Sequence, residues 1–288
     1  LQGALKITAI KTDLLRFPPG KPTYDAIHTF GIHRGGVVLR LETNAGITGW
    51  AYSSFGMNAG GPRVVQTILE EELKPALLNQ DPAYVKKLRA AMWSATEYHG
   101  VHGVAQFAIA AADIAIWDII GKAAGLPVYR MLGAHHTRMP VYHMCGWYED
   151  NDPDLARYKR TIAASIEEGF TAVKIKVGRG PLAEDERRIR IALDLMGPAG
   201  RVMVDANQAL NRNDALRRGR LYQQMGCFWY EEPMLPHEKD GYAELCRELD
   251  IRIATGENEY TKYAFLDLLK RGAADVVQPD NRRADYGS

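Results

Sequence analysis

Three short apolar runs in the second half of the chain each end in a carboxylate, and these carboxylates recur at a fixed interval. Glu231 follows Asp205 by 26 residues, and Glu257 follows Glu231 by another 26. A (β/α) barrel of about 250 residues with eight strand–helix units uses roughly this length per unit. The interval therefore predicts that the three carboxylates stand at the C-terminal ends of three consecutive parallel strands.

Carboxylates in this arrangement can bind a cation. Neighbouring strands lie about 4.8 Å apart, so side chains at their ends can converge on one point. Three converging carboxylates repel one another unless a hard cation lies between them, and an all-oxygen ligand set suits Mg²⁺. We therefore predict that Asp205, Glu231 and Glu257 bind a Mg²⁺ cofactor. Glu232 points the other way along its strand, and we predict that it pairs with a neighbouring cation.

Residues suited to acid–base chemistry flank these ligands. Lys174 and Lys176 alternate along the strand-like run 171–177, so both face the barrel mouth. Asp280 ends the next run, 23 residues after the third carboxylate. Asn207 lies two residues beyond the first carboxylate, on the same face, where it can donate to a substrate hydroxyl. The order across the mouth is thus a base, three metal ligands and an acid.

The elements that must position these groups alternate between strand and helix after the sequence Gly125-Leu126-Pro127. Strands are predicted near 140–144, 171–177, 201–205, 227–231, 251–255 and 275–279. Helices are predicted from Asp152-Pro153 to Gly169 and at 182–196, 214–225, 242–249 and 262–270. This pattern is typical of an α/β fold with a parallel sheet. We assign residues 126–288 to this (β/α) barrel domain.

Residues 1–125 predict a separate α+β domain. Strands are expected at 5–16, 36–43 and 47–53, and helices at 63–78, from Asp81-Pro82 to about 93, and at 106–123. Two loops, 17–35 and 53–61, are rich in Gly, Pro or His. The first is too long for an ordinary hairpin connection and is a candidate functional loop. A plain solvent loop is the alternative for both.

Composition restricts the class of protein. The 288 residues are 46% hydrophobic and 25% charged, which is typical of a globular chain. A net charge of +1 without a polybasic run favours neither nucleic acid nor a membrane surface as partner. Three widely spaced cysteines without a Cys-x-x-Cys motif indicate free thiols, as in a reducing cytoplasm. We also expect a homo-oligomeric assembly.

These residues together resemble the mandelate racemase subgroup of the enolase superfamily. The resemblance covers nearly the whole chain. It is carried by Lys174-x-Lys176, Asp205-x-Asn207, Glu231-Glu232-Pro233, Gly256-Glu257-Asn258 and Asp280, and by the helix 108–118 with the segment 125–133. It implies a (β/α)7β TIM-like barrel under an N-terminal α+β capping domain. An aspartate at the last of these positions, where the muconate cycloisomerase subgroup usually has lysine, favours the mandelate racemase subgroup.

The resemblance also implies roles for the site residues. Lys176 is expected to remove the α-proton of a carboxylate substrate, and Lys174 to hold the substrate carboxylate. Mg²⁺ would act as the Lewis acid that stabilises the enediolate. Both N-terminal loops are expected to fold over the barrel mouth as a specificity lid. Tyr24, His28 and His33 are then candidate substrate-binding residues.

The sequence departs from this family after Asp280. The aspartate is expected to orient a histidine from the next strand, yet no histidine follows it here, and Asp285-Tyr286 occupies the position of a Gly-Gly pair. The C-terminal strands of the barrel are absent from this chain, and we expect roughly 80 further residues in the intact protein. The leading hypothesis is a sugar-acid dehydratase. The alternatives are a racemase or epimerase of a 2-hydroxy acid, or a non-catalytic barrel without its second acid–base group.

Overall fold

The structure is a computed structural model that describes residues 4–31, 34–54, 60–100 and 102–286. The N-terminal part contains a three-stranded antiparallel sheet in the order β1-β4-β5 and a small hairpin of two further strands. Their bounds are β1 Ile7–Phe17, β2 Thr23–Tyr24, β3 Thr29–Phe30, β4 Arg34–Thr43 and β5 Thr48–Ser53. Val37, Leu39 and Leu41 alternate along β4 and are fully buried. The hydrophobic pattern of period two therefore fixes which face of the sheet covers the core.

Helices cover that face of the sheet. They are α1 Gly60–Thr67, a π-helical segment Ile68–Leu73, α2 Lys74–Leu77, α3 Val85–Thr96, a 3-10 turn Glu97–His99 and α4 Val104–Ala124. Helix α4 is long and apolar enough to span a membrane by length and composition, but 72% of its most apolar window is buried inside the protein. This burial is the signature of a core helix.

The second part contains six parallel strands, hydrogen-bonded in the order β11-β10-β9-β8-β7-β6. The strands are β6 His143–Met144, β7 Ala172–Lys176, β8 Arg201–Asp205, β9 Trp229–Glu231, β10 Arg252–Thr255 and β11 Val276–Val277. The helices are α5 Val128–Met131, α6 Ala156–Glu167, α7 Leu182–Met196, α8 Arg212–Gln224, α9 Lys239–Glu248, α10 Thr261–Lys270 and α11 Asn281–Ala284. The prediction of an α/β fold with six parallel strands and an antiparallel N-terminal domain is confirmed.

Two of the predicted helix starts are wrong, and both were placed at an Asp-Pro pair. Helix α3 begins at Val85, because Asp81 accepts a hydrogen bond from Ala83 N (2.9 Å) and forms a turn before the helix. Helix α6 begins at Ala156, because Leu155 takes a left-handed conformation (φ 54°). An Asp-Pro pair favours a turn as strongly as a helix start.

Buried apolar residues form two clusters, one drawn from residues 7–119 and one from residues 145–273. Between them Gly125 ends α4 in the left-handed region (φ 64°), where its N–H meets the carbonyls of Gly121 and Lys122. Glycine adopts this conformation without a Cβ penalty. The division of the chain into residues 1–125 and 126–288 stays a prediction.

Candidate active site

The two lysines of β7 lie against the carboxylates that end the next two strands. Lys176 pairs in register with Asp205, which pairs in turn with Glu231. Lys176 Nζ lies 2.6 Å from Asp205 Oδ2, and Lys174 Nζ lies 2.5 Å from Glu231 Oε1 and 3.4 Å from Asp205 Oδ2. All four side chains are at most 5% exposed. Four charged groups therefore share one buried volume at the ends of three adjacent strands.

Aromatic rings line the lysine side of this volume. Lys176 Nζ lies 4.7 Å from the centre of the Trp147 ring, and Lys174 Nζ lies 5.6 Å from that of Tyr142. An ammonium at this distance from a π face is attracted by the ring quadrupole. The rings thus help to hold both ammonium groups where little water reaches them.

Burial and charge shift the pKa values of these groups in different directions. Burial raises the pKa of Asp205, but the ammonium groups of Lys176 and Lys174 outweigh it and hold that pKa below its usual value. Burial and the nearby Asp205 charge raise the pKa of Glu231, and Lys174 offsets this only in part. Burial lowers the pKa of Lys174, but the two carboxylates raise it overall. Lys174 is therefore a permanent cation here, which suits a role in binding a carboxylate.

Two residues that sequence reasoning missed hold the second oxygen of Glu231. Trp229 Nε1 donates to Glu231 Oε2 at 3.2 Å, and Gln278 Nε2 donates to the same atom at 2.9 Å. Trp229 precedes Glu231 by two residues, so strand alternation could have placed it on the same face. The Oε1 atom of Gln278 is buried without a hydrogen-bond partner among the described residues.

Asn207 stands where it was predicted, beside Asp205. Its backbone N–H donates to Asp205 Oδ1 at 2.9 Å, and the residue has a left-handed φ of 44° that asparagine tolerates. Its side-chain Oδ1 is buried and, in the described part of the chain, has no hydrogen-bond partner. This atom is an acceptor, so it can receive a hydrogen bond from a hydroxyl group.

A cavity of about 510 Å³ adjoins these groups. It is lined by Asn207, Gln208, Glu257 and Asn258 of the barrel, by Asp25, His28, Phe30, Ser54 and Phe107 of the N-terminal part, and by Tyr260, Arg282 and Arg283. The cavity therefore receives side chains from both parts of the chain. The lining is mostly polar and charged with a few aromatic rings, and convergent polar groups of this kind can fix the orientation of a small molecule.

The donor set fits Mg²⁺ in its chemistry. Asp205, Glu231 and Glu257 supply only oxygen atoms, the ligands that Mg²⁺ prefers. Among the described residues, however, no three His, Cys, Asp or Glu side chains lie close enough together to form a metal cluster. The carboxylates of Asp205 and Glu231 instead contact the lysine ammonium groups, and Glu257 lines the cavity. The three-ligand set stays a prediction.

The prediction that Glu232 pairs with a cation is wrong. Glu232 is fully buried and accepts hydrogen bonds from Asn258 Nδ2 (2.7 Å) and Gln208 Nε2 (3.2 Å). Burial, with a contribution from the charge of Glu257, raises the pKa of Glu232 to about 8. Arg283 is linked to Glu232 through Asn258, because Arg283 donates to Asn258 Oδ1 and Asn258 donates to Glu232. The amide groups of Asn258 and Gln208 therefore supply hydrogen bonds to a carboxyl group whose raised pKa favours its neutral form.

Asp280 lies at the start of α11, where its side chain accepts from Arg282 N (2.9 Å) and from the Arg282 guanidinium (2.8 Å to NH2). Burial raises the pKa of Asp280, but these contacts with Arg282 hold it below its usual value. Asp280 is therefore an anion with an arginine partner. Its predicted role in orienting a histidine stays a prediction.

The three candidate residues of the first loop have different positions. His28 lines the cavity, and its Nδ1 lies 3.0 Å from Asp25 Oδ2. Tyr24 does not line it, because its hydroxyl donates to Asp150 (2.6 Å) and Arg179 covers its ring. Tyr24 thus fastens the β2–β3 hairpin to the barrel, and its predicted contact with a substrate stays a prediction. His33 lies outside the described residues.

Comparison with known proteins agrees with this arrangement. Arabinonate dehydratase from Saccharolobus solfataricus is 32% identical over 85% of this chain, which spans 64% of that protein's length. L-talarate/galactarate dehydratase from Salmonella typhimurium LT2 has a TM-score of 0.90 at 30% identity, covering 99% of this chain and 72% of that chain. A mutant of an L-talarate/galactarate dehydratase was solved with Mg and L-glucarate. A racemase from Streptomyces coelicolor A3(2) with bound magnesium has a TM-score of 0.89 at 31% identity over 96% of this chain and 76% of its own.

Family models match both parts of the chain. The N-terminal domain of mandelate racemase / muconate lactonizing enzyme matches residues 10–133, and the enolase C-terminal domain-like family matches residues 157–285. Together they cover most of the chain, with the lysine and carboxylate positions inside the second match. The chain therefore belongs to the mandelate racemase / muconate lactonizing enzyme family of the enolase superfamily.

Proposed function

We propose that this protein removes the α-proton of an α-hydroxy carboxylate in a Mg²⁺-dependent reaction, and that it is a sugar-acid dehydratase. The observation that carries the proposal is the buried group at the barrel mouth, in which Lys174 and Lys176 contact Asp205 and Glu231. A base, a fixed cation and oxygen ligands for a metal then lie together at the ends of three adjacent strands. The related dehydratases of sugar acids support this choice.

Different residues bind the substrate and transfer the proton. Lys174, a cation held by two carboxylates, binds the substrate carboxylate, and Lys176 takes the α-proton on its Nζ. Mg²⁺ held by Asp205, Glu231 and Glu257 would supply Lewis-acid stabilisation of the enediolate. The C–O bond to the β-hydroxyl then breaks, its electron pair leaves with the oxygen, and a proton from an acid releases water. The enol product tautomerises to a 2-keto-3-deoxy acid.

Two alternatives remain open. A racemase or epimerase would return a proton to the α-carbon without loss of water, and the related racemase with bound magnesium supports this reading. A non-catalytic barrel would bind an acid and exchange no proton. The three candidates differ in what happens to the α-proton and to the β-hydroxyl, so one assay separates them.

The test incubates the purified protein with Mg²⁺ in D₂O and a panel of aldonates and aldarates. We expect a 2-keto-3-deoxy product from at least one acid, and a loss of 10²–10⁴-fold in Lys176→Ala, because a positioned base is typically worth that factor. Lys159→Ala, an exposed lysine on α6, is the matched control and should retain wild-type activity.

Deuterium incorporation without a keto product would indicate a racemase or epimerase instead. Neither incorporation nor product from any acid in the panel would overturn the catalytic proposal. Full activity in Lys176→Ala would move the base to another residue.

We further propose that the protein works as a homo-oligomer in the cytoplasm. The outer face of the N-terminal sheet exposes Leu15 and Phe17 of β1 beside Trp50 and Tyr52 of β5, an apolar patch that an interface would cover. The three cysteines are free, as in a reducing compartment. Light scattering checks the assembly, since a particle with the mass of a single chain, as measured by mass spectrometry, would contradict it.

A further inference from the structure

We infer that Arg282 selects sugar acids with a second carboxylate, so that the substrate class is the aldarates and their close dicarboxylate relatives. The inference rests on the proposed function and names the end of the substrate that the two lysines do not touch. It starts from the position of Arg282, which lines the 510 Å³ cavity together with Asn207 and Glu257. Three strands separate β7 from β11, after which Arg282 follows.

The contacts of Arg282 fix its guanidinium at the cavity and leave part of it unused. Its Nε and Nη2 atoms donate to Asp280, and its Nη1 donates to Ser54 Oγ at 3.2 Å. A guanidinium has five N–H donors, so one donor on Nη1 and one on Nη2 remain without a partner among the described residues. Two donors on adjacent nitrogens match the two oxygens of a carboxylate. The side chain is 44% exposed, so these donors are accessible to a ligand.

Two arginines, Arg282 and Arg283, and two carboxylates lie among the described residues that line the cavity. Asp25 and Glu257 are the carboxylates among its described lining residues. Asp25 is 1% exposed and already receives hydrogen bonds from Ile27 N, His28 N and, within 3.0 Å, His28 Nδ1. Glu257 is assigned to the metal under the proposed function. Asp25 therefore does not compete with a ligand for Arg282, whereas the charge of Glu257, which contributes after Asp280 to raising the pKa of Arg282, would be taken up by the metal.

Arg283 is a less suitable anion receptor than its neighbour. It donates to Asn258 Oδ1, and its guanidinium stacks on Phe107 (5.3 Å) and Tyr260 (5.8 Å). These contacts hold it between a barrel loop and helix α4. It contributes positive charge to the cavity while its geometry supports the wall.

The names of the related enzymes do not settle this point. Arabinonate, the acid in the name of one relative, has one carboxylate, whereas galactarate and L-glucarate, named for others, have two. The choice between one and two carboxylates must therefore come from the residues of this chain. The opposing interpretation is that Arg282 only bridges Asp280 and Ser54 and stabilises the fold.

The experiment measures binding of matched acid pairs by calorimetry with Mg²⁺ present, using Lys176→Ala to prevent turnover. The pairs are galactarate with galactonate, glucarate with gluconate, and arabinarate with arabinonate, which differ at the terminal carbon. We expect at least one dicarboxylate to bind more tightly than its partner. Arg282→Ser should reduce that preference by about 10- to 100-fold, because a hydrogen-bonded charge pair is lost. Arg282→Lys should retain part of it.

Arg190→Ser is the matched control. Arg190 pairs with Glu186 on the exposed face of α7 at 2.7 Å, and its loss should leave the preference unchanged. The thermal midpoint of each variant reports any structural effect separately. An equal loss for both members of every pair in Arg282→Ser would show a bridging role and overturn the inference.

Failure of the inference differs from failure of the proposed function. If the monocarboxylates bind as tightly as the dicarboxylates and the wild-type protein dehydrates them, Arg282 is not a selector and the dehydratase proposal stands. If no acid binds and none is turned over, the proposed function falls, and this inference falls with it.

Discussion

Glu231 and Asp205 each face a lysine ammonium, so a substitution at the barrel mouth changes charge balance before it changes shape. Glu231 Oε1 contacts Lys174, while its Oε2 is held by Trp229 and Gln278. A carboxylate fixed at both oxygens keeps its orientation without further help. The consequence is that removing its charge should affect cation binding more than local geometry.

We predict that Mg²⁺ raises the thermal midpoint of the chelator-treated protein and that Glu231→Gln abolishes this shift. A ligand that binds only the folded state stabilises it, by about 2.7 kcal/mol at 100 times its Kd. Differential scanning fluorimetry with and without millimolar Mg²⁺ measures the shift. Glu186→Gln, an exposed carboxylate on α7, should respond as the wild type does. A wild-type thermal midpoint that does not change with Mg²⁺ would contradict the assignment of the three carboxylates as metal ligands.

The cysteines should react slowly in the folded protein. Burial raises the pKa of Cys145 to about 11 and that of Cys227 to about 12, and it raises the pKa of Cys246 to about 12, where Asp275 adds to the effect. Because the thiolate is the reactive form, labelling at pH 8 should be on the order of 100-fold slower than in denaturant. Rates should rise about tenfold per pH unit below these pKa values.

A thiol reagent followed by absorbance checks this expectation. Three thiols should react in denaturant and almost none within the first minutes under native conditions. Rapid native labelling of Cys145 or Cys227 would mean that the barrel core opens readily.

For individual residues, the sequence predicted the contacts between strand ends. It did not predict contacts whose partners lie in loops. Lys174, Lys176 and Asp205 were found because strand alternation and a regular interval place them. Asn258, which holds Glu232, lies after a strand end where no periodicity applies. The hydrogen bond of Tyr24 to Asp150 was not predicted either, since the two residues lie 126 positions apart in the sequence.

Among the elements, the contact of β5 with α4 allows little change. A Cβ added at Gly49 would overlap the carbonyl oxygen of Ala115 and approach Ile119 Cγ1 to 2.7 Å. The strand and the helix backbone therefore touch directly. Helix α4 was predicted almost to its ends, but this close approach could not be read from the sequence, where Gly49 follows an ordinary turn.

We predict that Gly49→Ala destabilises the protein by about 1–3 kcal/mol, because the strand must move away from the helix. Urea denaturation followed by fluorescence measures the change. Gly20→Ala is the control, since among the described residues an added Cβ there meets only Gly31 O at 3.7 Å, and it should shift stability by no more than about 0.5 kcal/mol. Equal effects of the two substitutions would contradict the close packing.

At the scale of the whole molecule, the segment after the sixth barrel strand returns to the N-terminal helices. Asp285, whose side chain is fully buried, accepts from Gln106 Nε2 at 2.7 Å and from Arg89 Nε at 3.3 Å. Tyr286 N donates to Asp113 Oδ2 at 2.8 Å. These contacts join the barrel to α3 and α4 through a few polar groups.

We predict that Asp285→Asn costs about 1.5–3 kcal/mol, because Arg89 loses a buried counterion and a charged acceptor is removed. Asp240→Asn is the matched control. Asp240 also pairs with an arginine, at 2.8 Å from Arg271, but its side chain is 87% exposed. An exposed pair is worth at most about 1 kcal/mol. Chemical denaturation compares the two, and a smaller cost for Asp285→Asn than for Asp240→Asn would contradict the buried connection.

The overall architecture was predictable, whereas this connection was not. Regular strand–helix lengths determine a parallel sheet whose neighbours are consecutive in sequence. Asp285 departs from the Gly-Gly pattern of the family, and sequence reasoning identified the departure without a partner for it. The partners, Arg89 and Gln106, lie about 180 to 200 residues earlier, a separation over which no local pattern acts.

Helix α4 also bears on how the protein is made. Its apolar surface would attract membranes and chaperones if it left the ribosome uncovered, yet β4, β5, α1 and α3 all precede it in the chain and pack with it in the finished fold. Most of the cover is therefore synthesised before the helix, and α11, which also packs with it, follows much later in the chain. We expect ribosome-bound chains that end within the barrel to protect α4 from protease already, and digestion there would contradict this order of folding. Vectorial synthesis would then spare the cell an aggregation-prone intermediate.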